Sequence, residues 1–176
     1  MKSGIILLAA GCVTLAIGCK PKPTTTGSPG AGATPISRTA APLPDRGFKA
    51  QVTLSDPPSK LRTGQKEVIT VKVKNVSDVV WWQRGGEVND RPDNKFYIAV
   101  GNRWLDKDGK LTSETEGHNG ISKDLRPGEE AEMTLQITAP KEPGEYTLEV
   151  DLVQEQVSWF KEKGSPTANS KVTVVK

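Results

Sequence analysis

Val68-Ile69-Thr70-Val71-Lys72-Val73-Lys74 alternates apolar and polar side chains. Ile69, Val71 and Val73 fall on one side of an extended chain, and Thr70, Lys72 and Lys74 on the other. That is the two-residue period of a half-buried β-strand, not the 3.6-residue period of a helix. Ala131-Glu132-Met133-Thr134-Leu135-Gln136-Ile137 and Tyr146-Thr147-Leu148-Glu149-Val150-Asp151-Leu152 repeat the pattern, and Val172-Thr173-Val174 closes the chain. Phe48 to Leu54 and Phe96 to Leu105 are weaker candidates, with Gly101 as a possible bulge. Between these runs stand turn signals: Asp56-Pro57-Pro58, Arg62-Thr63-Gly64, Asp106-Lys107-Asp108-Gly109, Arg126-Pro127-Gly128 and Glu142-Pro143-Gly144. No amphipathic helical window of useful length occurs; Lys161-Glu162-Lys163 stops at Gly164. The pattern predicts an all-β domain over residues 48–176, an antiparallel sandwich of about seven strands. One wet face per strand accounts for a hydrophobic content of only 35%.

Two further motifs carry a resemblance. Pro143-Gly144-Glu145-Tyr146 opens the most apolar late strand, and Val71-Lys72-Val73-Lys74-Asn75-Val76-Ser77-Asp78 ends an early one. Arg126-Pro127-Gly128-Glu129-Glu130 supplies a turn between them. In this order they resemble immunoglobulin-like, fibronectin III-like domains of bacterial cell-surface proteins. The resemblance implies a single Ig-like β-sandwich. It also implies that Tyr146 forms the tyrosine corner, its hydroxyl returning to nearby backbone. It implies little about function, because such modules serve as adaptors as often as binders.

The N-terminus reads as an address. Lys2 precedes an uncharged apolar run, Gly4 to Gly18, too short and wrongly flanked to span a bilayer. It ends in Leu15-Ala16-Ile17-Gly18-Cys19, which resembles the lipobox of bacterial lipoproteins. That resemblance implies a signal peptide over residues 1–18 and a diacylglyceryl, palmitate-type membrane anchor on Cys19. Leu15 stands one place further from the Cys than in the commonest pattern. Ala9-Ala10-Gly11-Cys12 is a competing box with a very short apolar run before it. Lys20 in place of an Asp points to the outer membrane if the host is Gram-negative, and otherwise to the outer face of the cell membrane. Residues 19–47 then form a tether. From Lys20 to Gly47, six of 28 residues are Pro, and large apolar side chains are almost absent. Such a segment cannot offset its own ordering entropy, and as a coil it spans about 30 Å.

Composition excludes several functions. Cys12 and Cys19 both lie in the first nineteen residues, so no disulfide and no Cys-based metal or redox site is expected in the domain. One His rules out a multi-histidine zinc site within one chain. The formal charge of +3 lacks the clustered basic stripe of a nucleic-acid binder. No catalytic residue and no cofactor is expected. Glu114-Thr115-Glu116-Gly117-His118-Asn119-Gly120 reads as a polar loop with no nucleophile elbow to support it. Asp106-Lys107-Asp108-Gly109 resembles half a calcium loop. Placing Gly109 at the sixth position leaves Trp104 first and Thr115 twelfth, both unsuitable ligands, so a turn is expected.

Aromatic residues are the best lead. Trp81, Trp82, Trp104 and Trp159 are candidate binding residues, because an exposed indole stacks on a sugar ring or a peptide side chain. The alternative is that they fill the core and cap its ends. Neighbours on a strand point to opposite faces, so Trp81 and Trp82 are not both buried if extended, nor are Trp159 and Phe160. The expected role is non-catalytic binding or scaffolding that recruits an envelope protein. A carbohydrate-binding module is one alternative. Another is a protease inhibitor or enzyme accessory domain presenting residues 85–94 or 114–120.

Overall fold

A computed structural model describes residues 41–83, 94–113 and 117–176. Ten strands occur among them: β1 (Ala50–Ser55), β2 (Lys60–Arg62), β3 (Lys66–Asn75), β4 (Ile98–Leu105), β5 (Leu111–Ser113), β6 (His118–Gly120), β7 (Glu130–Thr138), β8 (Gly144–Gln154), β9 (Ser158–Trp159) and β10 (Ala168–Val175). The six long ones match the six runs that alternate in sequence. β2, β5, β6 and β9 hold two or three residues each, too few to show a period.

The strands form two sheets. One has the order β1-β3-β7, and the other β2-β10-β8-β4-β5, with β6 added to β4 and β9 to β8. This is the strand order of an immunoglobulin-like sandwich. Pairing is antiparallel throughout except for β2, which runs parallel to β10 through Thr173↔Lys60 to Val175↔Arg62. The chain therefore departs here from a purely antiparallel sandwich. The prolines at 57 and 58 turn the chain after β1, and it crosses to the other sheet before pairing again.

The alternation becomes a core. Ile69, Val71 and Val73 of β3 face Val100 and Trp104 of β4 and Leu148, Val150 and Leu152 of β8 within one buried cluster. A tryptophan plugs each end. Trp81 is fully buried, and its Nε1 donates to the Gly47 carbonyl at 2.9 Å. Phe160 meets it edge-on at 5.2 Å and meets Phe48 at 5.0 Å. At the other end Trp104 Nε1 donates to the Thr138 carbonyl at 2.8 Å, and Tyr146 packs edge-on at 6.3 Å. Both indoles are thus buried with their polar atom satisfied.

Asn75, also fully buried, ends β3. Its amide donates to the carbonyls of Val79 (2.7 Å) and Leu125 (2.8 Å), and its Oδ1 accepts from Ser77 N (2.9 Å) and Ser77 Oγ (2.6 Å). Each bond ties backbone that leaves the sheet, so the Asn75-Val76-Ser77 motif works as a structural knot.

The packed domain starts earlier than residue 48. Leu43 rests against the core, and Gly47 is buried. Gln154, 1% exposed, accepts from Leu43 N at 2.8 Å and donates to the Ala41 carbonyl at 3.2 Å. Residues 41–47 are therefore a strap on the sandwich. The expected signal peptide, Cys19 and the rest of the expected tether lie outside the described residues. No helix among the described residues is long and apolar enough to cross a membrane.

Candidate functional site

Trp81 and Trp104 are 0% and 1% exposed, so neither offers an indole face to a ligand. Trp104 follows Ile98, Val100 and Asn102 along the inward side of β4. Trp81 is fixed inward by its bridge to Leu125. Trp82, its neighbour, is half-buried. Trp159 is also half-buried and faces outward, while Phe160 faces the core. The four candidates do not converge on one platform. Tyr146 Oη donates to the Glu142 carbonyl at 3.0 Å, four residues upstream.

Trp159 belongs to a built cluster on the outer face of the larger sheet. Its ring lies over Gly101, where a Cβ would stand 2.8 Å from both Trp159 Cη2 and His118 Cδ2. Gly101 is thus a close-approach position and not a bulge; the irregularity in β4 falls between Trp104 and Leu105. The Arg103 guanidinium stacks on the indole at 4.5 Å, and His118 meets it edge-on at 5.4 Å. His118 Nδ1 pairs with Glu155 Oε1 at 2.7 Å.

Beneath this lid two carboxylates are buried. Glu149, 3% exposed, takes Lys161 Nζ at 2.6 Å and Arg103 Nη2 at 3.0 Å. Asp151, 1% exposed, accepts from Leu152 N (2.8 Å) and Lys161 N (3.0 Å), with Arg103 Nη2 at 3.5 Å. Burial pushes the Asp151 carboxyl up to about 6, against the pull of those N–H donors and Arg103. The turn over Lys161–Lys163 carries the lid and ends on Gly164 at φ 85°, a left-handed conformation suited to glycine. The sequence reading placed these acids on the wet side of β8, and only the fold shows that residues 158–163 cover them.

Asp106 forms a turn: its Oδ1 accepts from Asp108 N (2.9 Å) and Lys110 N (2.8 Å), linking β4 to β5. No group of three or more acidic, His or Cys side chains able to hold a metal occurs among the described residues. Glu114 and Glu116 lie outside them, as do residues 85–93 and 114–116 of the segments 85–94 and 114–120 considered as inhibitor loops.

A concavity lies elsewhere, along the edge of β7. There Asn119 Nδ2 donates to the Thr134 carbonyl at 2.7 Å, and Gly117 packs so close that a Cβ would meet the Gln136 carbonyl at 2.1 Å. The segment after β6 then diverges from β7 and opens a groove of about 520 Å³. Gln83, Tyr97, Ser122, Glu132 and Thr134 line it, with Asn119 and Gly120 as its floor. Tyr97 is fixed by its backbone: its N donates to Asn94 O at 3.0 Å, and its carbonyl accepts from Glu155 N at 2.8 Å. Gln83 N donates to Asp124 Oδ1 at 2.9 Å. Sequence reading missed these residues. They come from separate segments, carry no motif, and Glu132 and Thr134 look like any wet face of a strand.

No family model matches this chain, and no curated protein matches it. Several solved structures are similar to this one at low identity. A β-glucosidase from Listeria innocua in complex with glucose is 16% identical with a TM-score of 0.44, over 73% of this chain and 16% of that one. A CARDB domain from Pyrococcus furiosus is 18% identical with a TM-score of 0.41, over 72% and 94%. The sporulation control protein Spo0M from Bacillus subtilis is 16% identical with a TM-score of 0.39, over 73% and 49%. This chain thus spans about a sixth of the β-glucosidase. The Ig-like description rests on the strand order, which these neighbours accompany.

Proposed function

We propose that this chain is a lipid-anchored envelope protein whose β-sandwich is a non-catalytic binding or scaffolding module. The sequence Leu15-Ala16-Ile17-Gly18-Cys19, after an uncharged apolar run and before a Pro-rich one, supports the anchor. A diacylglyceryl group with a further acyl chain holds a protein stably to a bilayer, at about 0.8 kcal/mol per buried CH₂. Lys20 favours delivery to the outer membrane in a Gram-negative host.

The binding role is carried by one observation: an open groove of polar side chains held by strands, with no nucleophile and base paired among them. Recruitment of an envelope protein is the broadest form of this role. Metabolic labelling with palmitate tests the anchor: wild type incorporates label and Cys19→Ala does not. Equal labelling of both overturns it. Crosslinked pull-down from solubilised envelope tests the module, since variants of the groove should lose what wild type captures.

A further inference from the structure

The groove beside β7 has a chemistry of its own. Among the described residues, its lining contains no Lys, Arg or His. Its apolar members, Ile121 and Met133, are 1% and 5% exposed, and its wall mixes apolar with polar surface. What remains is an amide (Gln83), a phenol (Tyr97), hydroxyls (Thr70, Ser122, Thr134) and a carboxylate (Glu132). Among the described residues, the side chains of Gln83, Tyr97, Ser122, Thr70 and Thr134 make no hydrogen bond with one another or with the rest of the domain. Their donors and acceptors face the groove from a rigid frame. Asn119 is anchored by its Nδ2 to β7, which leaves its Oδ1 as a fixed acceptor.

We propose that this groove binds a neutral oligosaccharide. This rests on the binding-module reading and names its ligand class. A sugar ring presents hydroxyls that both donate and accept, matching amides, hydroxyls and one carboxylate. Its C–H face suits the ring of Tyr97, the one aromatic side chain in the lining. The volume of about 520 Å³ falls within the roughly 300–1,000 Å³ of small-ligand sites. The open form suits a chain that enters and leaves along the groove. The site thus differs from the tryptophan platform, whose members point apart.

The test uses the full chain in a zwitterionic detergent that carries no sugar. Calorimetric titration with chitotriose, cellotriose, laminaritriose and maltotriose should give saturable binding to at least one, with Kd at or below about 1 mM. Tyr97→Ala should weaken it about tenfold, the loss of one stacked ring. Ser122→Arg, a change at an exposed position, should block it. Lys171→Ala, on β10 and outside the lining, should leave it unchanged. The inference is overturned if none of the four sugars binds, or if binding survives both groove variants. It is overturned as well if trigalacturonate binds there in their place. Envelope pull-down keeps the two readings apart: a protein captured through the groove while the sugars fail removes the sugar and keeps the module.

Discussion

Asp151→Asn should remove a pH dependence of stability between about pH 4 and neutrality. The carboxyl is 1% exposed and sits beside buried Glu149, and its pKa rises from an ordinary 3.8 to about 6. A raised carboxylate pKa means that the folded state binds the proton more tightly than the unfolded chain. Between about pH 4 and 6 the folded protein holds more protons, so stability falls as pH rises through this window. The shift of about two units, at roughly 1.4 kcal/mol each, gives about 3 kcal/mol lost between pH 4 and pH 7. Asn cannot ionise. It keeps one acceptor for Leu152 N but turns an NH₂ toward Lys161 N, at a cost of about 1 kcal/mol. The variant should therefore be more stable than wild type at pH 7.5 by about 1–2 kcal/mol. At pH 4.5 it should be equal or weaker. Urea denaturation followed by tryptophan fluorescence at pH 4.5, 6.0 and 7.5 measures this. Parallel curves for the two proteins would refute the reasoning, because they would place the titration elsewhere.

Three further outcomes follow from the packing. Asn75→Ala removes four hydrogen bonds and leaves the buried Ser77 N–H without its acceptor, and should cost about 2–4 kcal/mol in urea denaturation. Ser77→Ala, which spares the Asn75 amide, should cost about 1 kcal/mol. Gly101→Ala forces Trp159 or His118 aside and should destabilise by about 1–3 kcal/mol, a loss reduced in a Trp159→Ala background; purely additive losses in that double-mutant cycle count against the contact. Tyr146→Phe should cost about 0.5–1.5 kcal/mol through its bond to Glu142, with Trp104 fluorescence nearly unchanged; a loss outside that range argues that the corner does something else.

The fold was legible because β3, β7 and β8 alternate over seven or more residues, and burial on one face imposes that pattern. The short strands were not, since β2 and β6 take their place from neighbours: β2 from β10, and β6 from β4 with Asn119 reaching β7. The alternation rule required the pairs Trp81/Trp82 and Trp159/Phe160 to split, and they do. Which member turns inward depended on pairing with Leu125 and Val153, distant in the chain. Glu149 and Asp151 show the same limit. Their outward direction was readable from period two, but their burial depends on a cover supplied by residues 158–163. The groove was the least legible feature, since unremarkable polar residues gain meaning there only through proximity.

The strap on Gln154 also defines a path for mechanical load. A pull from upstream of Ala41 reaches the sandwich first through one side-chain amide, bonded to Ala41 O and Leu43 N. Those two bonds break one after the other. Behind them β1 is held to β3 along its whole length, Ala50↔Asn75 to Ser55↔Thr70, where many bonds share the force. The strap therefore peels before a strand slides, and the six residues ahead of Gly47, whose carbonyl Trp81 Nε1 holds, extend by about 20 Å. With the anchor proposed at Cys19, the junction would act as a short extensible link that takes up strain while both sheets remain folded.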